Sequence, residues 1–413
     1  MVFLKAEGFA LCFLLCFSLN SQAQSSFINK SQNSLSTQIP PKSTTYLVPA
    51  QRTPFREILE EDAGASAFRK RLQMSGRFGL SAGNFESENS DAASAGMDIS
   101  LGANYLFTKE LKANTALRIG LLSERSQYGA GYSAFENGIF LRNASLDYTP
   151  IPLFLLSAGA IQQGRTVPTE LLIEDRQTFP AASVQYRVGP EWGQLELLFE
   201  YAIPTSQSFD SERIDKEKLP AFSISRLGVD LTPSEHFQWQ AYGGSYQFSQ
   251  LPSKVAFESN LRGNTVEEAL QPNSRFKYEY SGLLWGSEAL FRFNDRYDFS
   301  VFYNEVKNSK APEHFNSARE IGAKSNIAVG NIVLTPFFKS FFNESDASVA
   351  YYNSGDLGHS NREGTMVELA VAFPNSNFLI GARRNQNRVI NPNFIQTDEQ
   401  SYSVFVETFD VTF

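Results

Sequence analysis

The chain has 413 residues and a formal net charge of -8, with 36 Phe and 16 Tyr against 4 Met and a mean hydropathy of -0.27. So many rings at so little net apolarity point to aromatic side chains set between polar neighbours, and the lack of a basic block excludes the electrostatic footprint of a nucleic-acid binder. Beyond the N-terminal segment no run approaches the ~20 apolar residues of a membrane-spanning helix, which excludes a helical membrane protein but not a β-barrel, whose strands are half polar.

At the N-terminus Lys5 precedes the apolar run "FALCFLLCF" and then "SLNSQAQ". This pattern predicts a secretory signal peptide over residues 1–23, cleaved after Ala23, because the run is about half the ~20 residues of a span. Leu15 stands where a lipoprotein anchor on Cys16 needs a small residue. Cys12 and Cys16 both lie inside the segment, so the exported chain is expected to carry no thiol, disulfide or Cys-based metal site. Residues 24–71, rich in Ser, Gln, Thr and Pro, read as a mobile periplasmic leader or as a plug, and the sequence leaves both open. Its tail suits a short helix, with Glu57, Glu60 and Glu61 early and Arg69, Lys70 and Arg71 late, matching the helix dipole.

From Leu72 the text changes character. In "MDISLGANYLF" the residues Met97, Ile99, Leu101, Ala103, Tyr105 and Phe107 alternate with Asp98, Ser100, Gly102 and Asn104. Period two means a strand with one apolar and one polar face. The same pattern recurs in "AASVQYRVG" and "QLELLFEY". Two kinds of connection take turns between such segments. Seven are short: "KELKAN", "PIP", "GPEWG", "PSEH", "NDRY", "VGN" and "PNSN". Eight are longer and polar, near 84–95, 125–137, 164–179, 203–219, 249–275, 306–317, 343–364 and 387–400. Together they predict an all-β fold over residues 72–413: a transmembrane antiparallel up-and-down barrel of about 16 strands, with short turns at one end and longer loops at the other. The fourth strand, near Gly138 to Tyr148, and the pair around 318–342 are the least regular, and "AYYNS" competes as an extra strand.

The chain ends "SYSVFVETFDVTF", with Phe405, Phe409, Val411 and Phe413 as an apolar series that Glu407 interrupts on the expected lipid face. This ending, with the signal peptide and the two-tier loops, resembles the outer-membrane β-barrel porins of Gram-negative bacteria, which typically close on Phe with apolar residues alternating before it. The resemblance implies recognition by the barrel-assembly machinery, contact with outer-membrane lipid and lipopolysaccharide, location in the cell outer membrane, and association as a homotrimer. Aromatics at strand ends, such as Tyr105, Tyr148, Tyr201, Phe291 and Phe293, fit the girdles of such a barrel.

A barrel of this strand number leaves a water-filled channel. By parity its lining is expected to include Arg77, Asp98, Arg118, Arg187, Glu196, Glu200, Arg226, Asp230, Glu288, Lys324, Lys339 and Glu368, joined by Glu320 and Asp410. Mixed charge with acids in slight excess favours passive diffusion of small hydrophilic solutes and ions, with a mild cation preference. A substrate-selective or plugged channel for hydrophobic compounds is the alternative; it would need a greasy inner groove, and apart from Leu122, Phe222, Ile224 and Leu284 the inferred lumen positions are mostly polar. An adhesin or structural barrel is the third reading. Porins of this size commonly fold their third outer loop inward, and by that resemblance "GRTVPTELLIEDRQTFP" would carry Arg165, Glu170, Glu174, Asp175 and Arg176 to a constriction. The stretch "VAFESNLRGNTVEEALQ" predicts a helix in the fifth loop. Catalysis, a cofactor and a metal are not expected: His236, His314 and His359 fall in separate connections without a patterned nucleophile or acid.

Overall fold

The structure is a computed structural model that describes residues 71–88, 91–124, 138–190, 192–205, 217–268, 273–294, 296–392 and 396–412. The expected signal peptide, the leader up to residue 70 and Phe413 lie outside these residues.

Sixteen strands form one closed antiparallel barrel. In chain order they are β1 Leu72–Ser87, β2 Asp91–Leu106, β3 Leu111–Glu124, β4 Gly138–Ile151, β5 Phe154–Gln162, β6 Thr178–Val188, β7 Gly193–Ala202 and β8 Ala221–Ser234. The second half comprises β9 Phe237–Ser249, β10 Ser281–Asn294, β11 Tyr297–Asn308, β12 Ser317–Val329, β13 Ile332–Asn343, β14 Arg362–Phe373, β15 Phe378–Val389 and β16 Glu399–Thr408. Each strand pairs with its neighbours in sequence, and β16 pairs with β1 from Gly79↔Glu407 to Ser87↔Glu399. Closure pairs the two strands that would otherwise present open edges to lipid.

Alternation places the apolar residues outward. On β7, Leu195, Leu197, Phe199 and Tyr201 are 40–52% exposed, whereas Leu198, Glu200 and Ala202 on the other face are 0–5% exposed. In a bilayer that outer row is the lipid-facing band. Rings facing inward lie flat across glycines of the next strand: a Cβ on Gly381 would come within 2.2 Å of the Phe405 ring, and one on Gly322 within 2.4 Å of Phe302.

The short connections span 107–110, 152–153, 189–192, 235–236, 295–296, 330–331 and 374–377. At the opposite end lie L1 (88–90), L2 (125–137), L3 (163–177), L4 (203–220), L5 (250–280), L6 (309–316), L7 (344–361) and L8 (390–398). The region 84–95, expected to be a loop, is instead a hairpin whose ladder continues to Glu86↔Asp91. Its "DAASAG" stretch lacks apolar alternation, but a ladder above the bilayer needs none. The "AYYNS" segment is loop, within L7. The helix expected in L5 is shorter than its sequence signal: α1 is Ser253–Leu261, and the chain then turns through Gly263 at φ +104 into a small hairpin of Val266–Glu267 with Arg275–Phe276. A Cβ at Gly263 would meet the Ser360 carbonyl of L7 at 2.3 Å, so this turn belongs to glycine.

The last strand corrects the parity expected for the chain end. Gly79 faces Glu407, yet Gly76 faces Val411, so one extra residue is bulged out between Thr408 and Val411. Tyr402 and Val404 point outward at 42% and 57% exposure, as does Val411 beyond the bulge, while Phe405 and Glu407 point inward at 5% and 7%. Glu407 is therefore not on the lipid face, and Phe405 is a lumen-side ring. Phe409 lies in the bulge, its amide donating to the Asn377 carbonyl at 3.1 Å.

Candidate channel constriction

L3 leaves the wall as a narrow neck. The Gln163 amide donates to the Gln177 carbonyl at 2.7 Å and the Gly164 amide to the Asp175 carbonyl at 3.3 Å, which brings the two limbs together. The tip is held by the wall opposite. Thr169 donates its hydroxyl to Glu320 on β12 at 3.3 Å, and Lys339 on β13 lies 3.7 Å from Glu170 and 3.4 Å from Glu320. Asn304 donates to Glu320 at 2.8 Å and receives the Tyr242 hydroxyl at 2.7 Å. Because β5 and β13 are eight strands apart in a ring of sixteen, the loop crosses the lumen instead of lining it.

One side of this crossing is apolar. Val167, Leu171, Leu172 and Ile173 are fully buried and join a cluster fed by the inner faces of eight consecutive strands, β6 to β13, through residues such as Phe179, Leu198, Phe222, Tyr246, Leu284, Val306, Ala318 and Phe341. Each buried aliphatic of this kind contributes about 1.5–3 kcal/mol. The expectation of a mostly polar inner face is corrected on this half of the barrel: Phe222, Ile224 and Leu284 are joined there by Phe179, Leu198, Tyr246, Val306 and Phe341, all packed as core.

L7 folds inward beside L3, which the sequence reading missed. The Glu174 amide donates to the Tyr352 carbonyl at 2.8 Å, and the Ser354 amide to the Glu170 carbonyl at 3.2 Å. The Tyr352 ring stacks on Phe248 at 5.8 Å and meets Phe179 edge-on at 5.3 Å, and Tyr246 donates to the Ala347 carbonyl at 2.9 Å. Buried Val255 of α1 belongs to the same cluster. L3 and L7 thus form a partition whose apolar side is bonded to half of the barrel wall.

The other side of the partition carries charge. Glu174 and Arg176 of L3 lie 3.8 Å apart, and Asp356 of L7 is paired with Arg383 on β15, which also binds Glu368 on β14 at 2.7 Å. Across from them, Arg118 pairs with Asp98, and Arg142 on β4 donates to the Arg176 carbonyl. Arg165 reaches Asp147 on β4 at 3.1 Å. Burial pushes the Glu170 carboxyl well above the usual carboxylate range, with the neighbouring acids Asp175, Asp356 and Glu320 adding to it against Lys339. For the half-buried Asp356 partial desolvation pushes the same way, but Arg383, Arg176 and Lys339 prevail and hold its carboxyl at about 2. Arg176 is stabilised as a cation, its own burial being outweighed by Glu174, Asp356 and the other loop acids.

The twelve expected lining residues all lie on the inner face, but not in one environment. Glu196 bridges Arg187 and Arg226; Asp230 accepts from Gln238 and Gln240 at 3.3 Å each; Arg77 meets Glu407 at 2.8 Å. Glu288 and Lys324 face one another electrostatically. Three positions correct the picture of a hydrated lining: Glu200 is 0% exposed beneath Thr166 and Gln163 of L3, Arg226 is 6% exposed and Lys339 is 2% exposed. Alternation shows which face a side chain takes, not what covers it. Asp410 lies in the bulge and is exposed at the barrel end. Arg142, Asp356 and Arg383 were not among the sequence candidates. Arg383 and Arg384 are adjacent, so one of them had to face inward, and cross-strand partnership with Glu368 is the signal that selects Arg383.

The histidines stay apart. His236 sits in a short turn against the Arg292 carbonyl, and His359 is buried in L7 against Asn353. Among the described residues no group of three or more His, Cys, Asp or Glu is placed to hold a metal.

No protein-family model and no curated protein matches the chain. Solved structures do. OprB of Pseudomonas putida is similar at 12% identity and a TM-score of 0.56, over 84% of this chain and 96% of that one. A loop-deleted OmpT, an outer membrane protein of Vibrio cholerae, is similar at 11% identity and a TM-score of 0.50, over 83% and 100%. A mutant porin of Rh. blastica follows at 12% identity and 0.42, over 82% and 99%. At these identities the likeness is one of fold: the chain is a sixteen-stranded transmembrane barrel of the kind found in outer-membrane porins.

Proposed function

We propose that this protein is an outer-membrane diffusion channel for small hydrophilic solutes and ions, with a mild cation preference. The observation that carries the reading is the inward L3, anchored through Thr169 and Glu170 on the far wall and carrying Glu174, Asp175 and Arg176 beside the wall cations Arg118 and Arg142, the latter bonded to the Arg176 carbonyl. A passage bounded by opposed charges admits hydrated solutes and resists apolar ones, whose transfer past fixed charge offers no compensating burial. On this reading the solute path runs on the β14–β16 and β1–β5 side of the partition, and the inner apolar residues serve packing, which leaves the hydrophobic-compound reading without a groove.

The test is single-channel conductance of the refolded mature protein in a planar bilayer, beside a variant lacking residues 24–70. Ohmic steps in both, with weak cation selectivity, are expected. Conductance in the deletion alone would make the leader a plug, and silence in both would overturn the channel.

A further inference from the structure

The expected constriction is a one-loop device, but two loops enter this barrel. We propose that L7 sets the charge selectivity jointly with L3, and that Asp356 is a specificity-determining residue for permeating cations. The inference rests on the channel reading above.

Three observations place Asp356 at that position. Its segment runs alongside L3, through the Glu174–Tyr352 and Ser354–Glu170 backbone bonds, so the carboxyl stands on the charged side of the partition. Its side chain keeps 32% of its exposure while Tyr352, Asn353, Ser354 and Leu357 around it are buried, so with Gly355 it is where L7 reaches solvent there. Finally, it sits in the field of cations from three separate elements: Arg383 of β15, Arg176 of L3 and Lys339 of β13. The acids facing it are Glu368, which shares Arg383, and the L3 carboxylates Glu170 and Glu174.

The arrangement has a definite electrostatic consequence. Arg383 and Arg176 each have a second carboxylate, Glu368 and Glu174, so neutralising Asp356 adds one net positive charge to the passage without freeing a guanidinium outright. Held at about 2, Asp356 stays ionised at any ordinary pH. The loop itself stays docked in its absence, because Tyr352, Val349 and Leu357 anchor it in the apolar cluster.

The measurement is the reversal potential in a KCl gradient. Asp356→Asn is expected to lower the cation-to-anion permeability ratio by about threefold, the scale of one unit charge acting through water over roughly 7 Å. Asp356→Glu should restore the ratio, and Arg383→Gln should shift it the opposite way by exposing the acid. A wild-type ratio in Asp356→Asn, with Glu174→Gln shifting it, would assign selectivity to L3 alone and overturn the inference while leaving the channel intact. A shift toward anions in Arg383→Gln would overturn it too. Silence of the wild-type protein would remove the channel reading and the inference together.

Discussion

Arg77 near the start of β1 and Glu407 near the end of β16 meet at 2.8 Å across 330 residues of sequence, on the inner face of the seam that closes the barrel. The Glu407 side chain is 9% exposed there, and Thr408 caps the Phe78 amide beside it at 2.9 Å. The pair exists only because the bulge after Thr408 lets β16 carry Glu407 inward and still return Val411 to the lipid.

The seam pair should stabilise closure. Glu407→Gln leaves Arg77 half-buried without its counter-charge and is expected to destabilise the barrel by about 1–3 kcal/mol. The temperature at which the folded band is lost on an unheated gel should fall, and the Arg77→Gln/Glu407→Gln pair should lose less than the two single changes summed. Strict additivity would show that the two groups do not interact.

Gly381 and Phe405 form an aromatic-over-glycine contact with no room for a side chain. Gly381→Val should cost about 1–3 kcal/mol through overpacking, read as a lower urea midpoint for unfolding from detergent. Adding Phe405→Leu should recover part of the loss. An unchanged midpoint in the single variant would mean that the ring swings away freely.

Much of this architecture is legible in the sequence, and the boundary of that legibility is physical. The period of two fixes which face each side chain takes, so the strands and their inner residues, from Arg77 to Glu368, can be read from parity. A bulge adds one residue and reverses the parity beyond it, so parity counted back from the chain end puts Phe405 and Glu407 on the wrong side. Burial by a distant loop leaves no local mark either: Glu200 reads as any inward carboxylate, and only the fold reveals Thr166 and Gln163 above it. L7 is polar enough to pass for a surface loop because its buried Asn, Ser and His groups bond to one another, as Asn353 does with Ser348, Ser360 and His359.

Lys339 neutralises two buried acids, so Lys339→Met should loosen the L3 tip in a pH-dependent way. The Glu170 carboxyl is raised, and a raised carboxyl contributes stability at low pH that is lost as pH rises through its folded value. The variant should therefore be quieter at the acid end of a pH titration and show enlarged or flickering conductance at the alkaline end. Equal noise at both ends would count against the tip contact.

Asp356 has the opposite sign. Its depressed carboxyl contributes stability present above the ordinary carboxylate range and lost only as pH falls toward about 2. The difference in reversal potential between the wild type and Asp356→Asn should accordingly be as large at pH 5 as at pH 7. A difference that vanishes by pH 5 would contradict the ion-pair environment described for it.

Tyr352 stacks on Phe248 and carries L7 into the apolar cluster. Tyr352→Ala should cost about 3–5 kcal/mol of local packing and give unsteady current with little change in the β-sheet circular dichroism signal. Steady wild-type current would show that the loop is held elsewhere.

The apolar mass beneath L3 and L7 also changes how the charges above it act. In a barrel full of water the field of Glu174 or Asp356 would be screened from every direction, but here hydrocarbon lies behind the partition and polarises little. Field lines from those carboxylates are driven forward into the remaining gap, as in a cleft with low-dielectric walls. If the protein is the channel proposed above, a core packed against β6–β13 would thus make it a stronger electrostatic filter than its number of charged residues indicates.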